Sequence, residues 1–383
     1  MAKRIVVTVV VCLAVVIVGF LVFRAGHGPS SKGAPATGSQ VIKIGVVLPL
    51  SGSMAEYGNN GRDGLLLAKE DLAREGVDAD LLIQDSKDVP EGTVTSVKRL
   101  IDVDGVKYII GGLTSAGVLA AAPYAQQKGV LFFTPAASAP GIPEIGDLVF
   151  RNWQSDTALA TMFGKAAFEK LKLRNVAILS VSNDYGNTNS ATFASSFKAA
   201  GGQVALQRSF PQGTTDFRDL VTKVRALSGI DSLLIIAYPD EYRAAFGEIK
   251  AQSLKGAQLL TSDTLYSPQM LADLGSAAEG TVCAVAAKPG EDYEPRKKFI
   301  AAYKARFGKD VGLVSDTAYD ALRLVVSGIR ATDGAPKSVS RWLLAQRDYP
   351  GVAGKTTFTP TGDFQGGMTL YRVQGGKFVE IGS

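Results

Sequence analysis

Three short segments of this chain carry side chains suited to holding a charged small molecule. Asn183-Asp184-Tyr185-Gly186, Tyr238-Pro239-Asp240 and Ser262-Asp263-Thr264 each follow an apolar run. Any one of them is equally well read as a cap or a turn. Taken together they offer two aromatics and a carboxylate, a set that suits an ammonium group: ion pairing from Asp263, and cation–π or hydroxyl contact from a tyrosine. A second set favours the opposite charge. Thr114-Ser115 follows the apolar run Tyr108-Ile109-Ile110 and opens a helical stretch. Ser115 there reads as an N-cap, or as part of a helix amino terminus that attracts a carboxylate through free N–H groups and the dipole. Ala136 and Ser138, in Thr134-Pro135-Ala136-Ala137-Ser138-Ala139-Pro140, are small enough to let a ligand reach the backbone; the same stretch also reads as an ordinary proline-punctuated loop.

Catalytic chemistry finds little support. The single histidine, His27, precedes the folded region, so no histidine-dependent triad and no histidine metal site is expected. There is no C-x-x-C, G-x-S-x-G, G-x-x-x-x-G-K-[ST] or G-x-G-x-x-G pattern. The expectation is a binding protein rather than an enzyme, with no cofactor and no metal.

The elements that would position these residues alternate. Strands are expected at Val41–Leu48, Ala79–Gln84, Tyr108–Gly111 and Val130–Thr134, separated by helices at Gly61–Glu75, Thr93–Val103 and Ser115–Lys128. The beat resumes after Arg151 with helices Thr157–Lys170, Asn187–Ala200, Phe217–Leu227 and Glu241–Gln252. Strands Val176–Ser180, Gln203–Phe210, Ser232–Ala237 and Gln258–Thr261 alternate with them. Such alternation implies parallel sheets covered on both faces. Helices at Pro295–Phe307 and Asp316–Arg330 and a short meander over Thr356–Phe358, Met368–Arg372 and Phe378–Ile381 end the chain. The fold class is α/β, with two doubly wound parallel-sheet lobes joined by a hinge near Asp156 and Ala286. Open sheets bind ligands beyond the carboxyl ends of their strands, so two of them facing each other form a cleft.

With 383 residues, 46% apolar and 20% charged, the chain can bury two cores. The net charge is +5, but Lys3, Arg4 and Arg24 flank an apolar stretch, and the rest carries 38 basic against 36 acidic residues. No basic run is interleaved with aromatics, so nucleic acid is not expected as a partner. Cys12 and Cys283 do not pair. Ile5–Phe23 follows Lys3 and Arg4 and is broken only by Thr8, Cys12 and Gly19; at about 1.5 Å per residue it nearly spans a bilayer core. It reads as an uncleaved anchor in preference to a cleaved signal, with the rest exported. The segment 26–40 is a flexible linker by composition. Residues 41–156 and 287–355 are assigned to lobe one, and 157–286 and 356–383 to lobe two.

The chain resembles the leucine/isoleucine/valine-binding family, the type I periplasmic solute-binding proteins of ABC importers. The likeness rests on Ile44-Gly45-Val46-Val47-Leu48-Pro49-Leu50-Ser51-Gly52, Tyr57-Gly58 with Gly61 and Gly64, and Ile110-Gly111-Gly112 with Thr114-Ser115. It continues through Thr134-Pro135-Ala136-Ala137-Ser138, Arg151 with Asp156, Asp184-Tyr185-Gly186, Asp216-Phe217 and Ala278-Glu279-Gly280. The resemblance implies a periplasmic receptor that closes on an amino acid and hands it to permease subunits, acting as a monomer. By the same resemblance, Ser115, Ala136 and Ser138 hold the carboxylate and part of the ammonium, and Tyr238 and Asp263 complete the ammonium site. Tyr185 would close over the ligand and Tyr57 would border its side chain. Asp263 is shorter than the glutamate often found there. A membrane-anchored sensor of the same fold, or a receptor for an amide or aromatic acid, is the alternative reading.

Overall fold

Successive strand residues of the first sheet enter different cores. Val46, Ile110, Phe133 and Phe150 join one buried cluster, and Val47, Ile109, Phe132 and Val149 another. A period of two with both phases apolar requires a sheet covered on both faces. The computed structural model, which describes residues 41–254, 256–290, 292–364 and 366–382, has that arrangement. β1 (Ile42–Leu48), β2 (Ala79–Asp85), β3 (Tyr108–Gly111), β4 (Leu131–Thr134) and β5 (Val149–Arg151) are parallel, in the order β2-β1-β3-β4-β5. They alternate with α1 (Ala55–Arg74), α2 (Pro90–Asp102) and α3 (Ser115–Gln127). The expected anchor Ile5–Phe23 and the linker 26–40 lie outside the described residues. Among the described residues no helix is long and apolar enough to cross a membrane.

The second sheet holds β6 (Asn175–Val181), β7 (Gln203–Phe210), β8 (Ser232–Ile236), β9 (Gln258–Thr261) and β10 (Val282–Ala286) in parallel. α4 (Asp156–Glu169) precedes β6, and α5 (Asp184–Ala199), α6 (Arg218–Arg225), α7 (Pro239–Ala251) and α8 (Pro268–Leu274) run between the strands. The chain then forms α9 (Glu294–Phe307), α10 (Ser315–Ala331) and α11 (Pro336–Ala345). A small ribbon of β11 (Tyr349–Pro350) and β12 (Lys355–Thr356) follows, then β13 (Met368–Gln374) and β14 (Lys377–Gly382). β13 and β14 return to the second sheet antiparallel, beside β10, so this sheet is mixed rather than purely parallel. The expected strand at Thr356–Phe358 is the edge of the separate ribbon instead.

The helices after β10 pack on the first sheet's side. Arg323 pairs with Glu75 at 2.7 Å, and Ser340 donates to the Asp147 carbonyl at 2.6 Å. Gly64 of α1 lies so close to α10 that a Cβ there would run into the Ser315 carbonyl. Short elements escape the periodic pattern, among them the three-residue β5, the seven-residue α8 and the two-residue β11, as does α11, which follows Asp333-Gly334.

Polar groups pin together the segments that pass between the two sheets. Arg151, completely buried, donates from Nε to Asp363 Oδ1 at 2.5 Å and from Nη2 to Oδ2 at 2.9 Å, while Nη1 donates to the Ala139 carbonyl at 2.8 Å. Asn152 donates to the Thr317 carbonyl at 2.9 Å, and Gln154 to that of Gly366 at 3.0 Å. Removing one partner of a buried ion pair strands the other charge. Asp363→Ala is therefore expected to lower unfolding stability by about 3–5 kcal/mol, measured by urea denaturation; a loss below about 1 kcal/mol would show that Arg151 finds another counter-charge.

Candidate functional site

Parallel strands send their carboxyl ends, and the loops that follow them, to one edge of each sheet. All seven residues expected at the site sit on such loops or on the first turns after them, and all seven line one cavity of about 30 Å³. Tyr57 is in the first turn of α1. This helix starts six residues earlier than the periodicity indicated, because Tyr57-Gly58 belongs to it. Ala136 and Ser138 follow β4, Tyr185 opens α5, Tyr238 is the N-cap residue of α7, and Asp263 begins a 3₁₀ turn after β9. Thr114 and Thr264, from two of the segments marked in the sequence, also line it, and Met54, Leu113, Trp153, Leu313 and Val314, which were not singled out from sequence, complete the lining.

Ser115 is not the N-cap. Thr114 caps α3, its hydroxyl accepting the Gly117 N–H at 3.3 Å. This leaves the Ser115 hydroxyl to accept the backbone N–H groups of Ser138 at 3.3 Å and Ala139 at 3.1 Å. With both lone pairs occupied, that hydroxyl has only its proton to offer. The amides of Ser115 and Ala116, in the helix's first turn, have no helical acceptor. This end of the cavity is therefore a set of donors suited to an anion. The turn before it needs glycine: Gly111 and Gly112 have φ of 139° and 69°, and a Cβ on Gly111 would strike the Val47 carbonyl.

The other end has the opposite character. Asp263 is buried and accepts from the Tyr185 hydroxyl at 3.0 Å. Burial pushes its carboxyl above the usual range, against hydrogen bonding from Tyr185 and Trp153. The Tyr185 and Tyr238 rings stack with centroids 5.5 Å apart, and Asn183 donates to the Tyr238 hydroxyl at 3.4 Å. Asp263 is the one charged side chain in the lining. Behind it lies Asp156, which Asn189 contacts at 2.6 Å. Burial, then repulsion from Asp263, lifts Asp156 to about 7. A buried carboxylate with a second acid behind it and two aromatic faces alongside presents negative potential, which a cation would neutralise.

Two bonds join the sheets across the cavity. The Tyr57 hydroxyl donates to the Thr264 carbonyl, and the Ser267 hydroxyl donates to Glu56. Among the described residues no cluster of histidine, cysteine, aspartate and glutamate is arranged to hold a metal ion.

A family model described as periplasmic binding protein matches residues 41–377. A leucine-, isoleucine-, valine-, threonine- and alanine-binding protein of Pseudomonas aeruginosa is 27% identical over 333 residues, covering 85% of this chain and 88% of the relative. Among solved structures, a leucine-binding protein from Thermotoga maritima superposes with a TM-score of 0.83 at 24% identity, covering 89% of this chain and 97% of that one. A solute-binding protein of an ABC transporter from Rhodopseudomonas palustris BisB5, in complex with 3,4-dihydroxybenzoic acid, gives a TM-score of 0.80 at 23% identity and covers 89% and 96%.

The acid behind the cavity has a consequence for stability. The folded pKa of Asp156 lies above its ordinary value of 3.8, so between roughly pH 4 and 7 the folded chain binds the extra proton. The stabilisation this gives is complete below that window and is lost as pH rises through it. Asp156→Asn, which keeps an acceptor for Asn189, is expected to raise the melting temperature at pH 8 more than at pH 5. An equal shift at both pH values would mean that Asp156 is ionised throughout.

Proposed function

Because this chain belongs to the periplasmic binding protein family, we propose that it is an extracytoplasmic receptor that captures an α-amino acid between its lobes and delivers it to the permease of an ABC importer. The observation that carries this reading is the division of charge within one cavity. The donor end, at Ser115 and the first turn of α3, belongs to the first sheet; the acceptor end, at Asp263 with Tyr185 and Tyr238, belongs to the second. A zwitterion with adjacent carboxylate and ammonium satisfies both ends, and Met54, Leu113, Leu313 and Val314 give its side chain apolar walls. Named relatives that bind leucine, isoleucine, valine, threonine and alanine support the same ligand class.

In this mechanism the carboxylate docks first on lobe one, residues 41–156 and 287–355. Lobe two, 157–286 and 356–383, then rotates about the crossovers near Asp156 and Ala286 to bring Asp263 and the tyrosines onto the ammonium. Hydrogen bonds to charged groups contribute roughly 1.5–3 kcal/mol each, so a handful suffices for micromolar binding, about −8 kcal/mol. The receptor acts without chemistry on its ligand, as a monomer, in the periplasm or at the outer face of the membrane.

An aromatic acid or simple anion would leave Asp263 buried with hydrogen bonds but no counter-charge, which disfavours that ligand class. Calorimetry against amino acids, amides and aromatic acids decides between them. Binding by one or more aliphatic α-amino acids is expected, and Asp263→Ala should weaken it by about 2–5 kcal/mol, on the order of 30- to several-thousand-fold. Binding of aromatic acids alone, or an Asp263→Ala variant with native affinity, would overturn the zwitterion reading.

A further inference from the structure

Two cavities meet at one side chain. The first is the candidate site; the second, about 20 Å³, lies among the crossovers and is lined by residues including Ala286, Lys288, Thr317, Gly354 and Phe364. Trp153 lines both. It is 4% exposed and sits in the first crossover, between β5 and α4. Its neighbours hold it in place: Asn152 is bonded to the Thr317 carbonyl at 2.9 Å, and Gln154 to the Gly366 carbonyl at 3.0 Å. The side chains on both sides of Trp153 thus tie this stretch to two other segments of the fold, and the indole itself is hydrogen-bonded to Asp263. On the far side Lys288 and Arg296 share Asp316, at 2.5 and 3.0 Å, and the space is bounded by Phe364 and small residues such as Ala286 and Gly354.

We propose that Trp153 is the floor of the ligand site: its indole partitions the ligand cavity from the crossover cavity and so limits the length of ligand side chain the receptor accepts. The inference rests on the amino-acid receptor reading above. It assigns the native site short aliphatic side chains in preference to aromatic ones, and it places the limit in the segment that joins the lobes rather than in the loops that hold the charged groups. Truncating the indole joins the two cavities and opens a path toward Gly354 and Phe364. Ser115 keeps its bonds, while Asp263 loses the hydrogen bond from Trp153 and keeps the one from Tyr185, a change common to every amino-acid ligand, so the ratio between ligands is what reads the floor.

The test is calorimetry of the full chain with L-alanine, L-valine, L-leucine and L-phenylalanine, using the native protein, Trp153→Ala and Trp153→Phe. One methylene in an apolar pocket discriminates by roughly 10–200-fold. The native protein is expected to prefer its best aliphatic ligand to phenylalanine by at least about 10-fold. Trp153→Ala should shrink that ratio at least about 10-fold through tighter phenylalanine binding, whereas Trp153→Phe, which keeps a ring in the floor, should keep the native order. A uniform loss for all four ligands in Trp153→Ala would make the residue merely structural and overturn the proposal. Should Trp153→Ala fail to fold, Trp153→Leu takes its place, with the same criterion. If the native protein binds no amino acid in the calorimetric panel above, the receptor reading fails. The floor is then judged by a crystal structure of the truncated variant: one continuous cavity reaching Gly354 supports it, and two separate cavities overturn it.

Discussion

A guanidinium removed completely from water must bring its counter-ion and acceptors with it, and Arg151 does so at the point where the chain leaves the first sheet. Its desolvation, several kcal/mol even after relaxation, is offset by both oxygens of Asp363 and by the Ala139 carbonyl. Those partners are not local. Ala139 ends the loop that carries Ala136 and Ser138 into the cavity, and Asp363 precedes the strand that returns to complete the second sheet. One charge therefore fixes the ligand loop, the first crossover and the last crossover relative to one another. The bonds from Asn152 and Gln154 add to the same tie.

With the crossovers fixed, the geometry of parallel sheets does the rest. Every loop that follows a strand's carboxyl end arrives at the same edge, so residues far apart in sequence line one cavity. The polarity of that cavity follows from bonds already made inside the protein. Ser115 is left as a donor because the Ser138 and Ala139 amides occupy its lone pairs. Asp263 is an acceptor whose charge is costly to bury, and it gains only hydrogen bonds in return. Neither end is complete without a group of the complementary kind, and the two ends belong to different sheets.

The alternation of apolar strands and helices was legible because both faces of each sheet are buried, so Ile44 to Leu48 or Leu233 to Ile236 read as unbroken apolar runs. The seven expected site residues were placed by the rule that ligands meet strand carboxyl ends and by their resemblance to a family pattern. What the chain did not reveal is what depends on contacts distant in sequence. Trp153 lies in a short polar stretch with no periodicity, and its role follows from two cavities that only the folded crossovers create. Leu313 and Val314 enter the cavity from the segment before α10, and Val314 does so with φ of 75°, a conformation no propensity would suggest for a β-branched residue. The antiparallel return of β13 beside β10 is equally silent in sequence, since its alternation is that of any edge meander. Ser115 could be read as a cap or as a ligand group because the local pattern Thr-Ser offers two candidates for one capping position, and the bond from the Gly117 amide to Thr114 gives that position to Thr114.

The two bonds that cross the cavity, from Tyr57 to the Thr264 carbonyl and from Ser267 to Glu56, involve no ligand atom. The first contributes a net of about 0.5–1.5 kcal/mol to lobe contact and the second, to a carboxylate, about 1.5–3 kcal/mol, whether or not the site is filled. A ligand can bias lobe position only through contacts it makes in one arrangement and not in the other. A carboxylate held by the first lobe alone binds equally well to both arrangements and shifts nothing. In the proposed mechanism the ammonium contact on Asp263, at the second sheet, exists only when the lobes meet. The shorter the ligand between these two ends, the more closely the lobes must approach to satisfy both, so on the proposed reading the separation of charges across two sheets turns recognition of an amino acid into a mechanical signal. The floor proposed at Trp153 would keep a long side chain from holding the lobes apart and so protect that coupling.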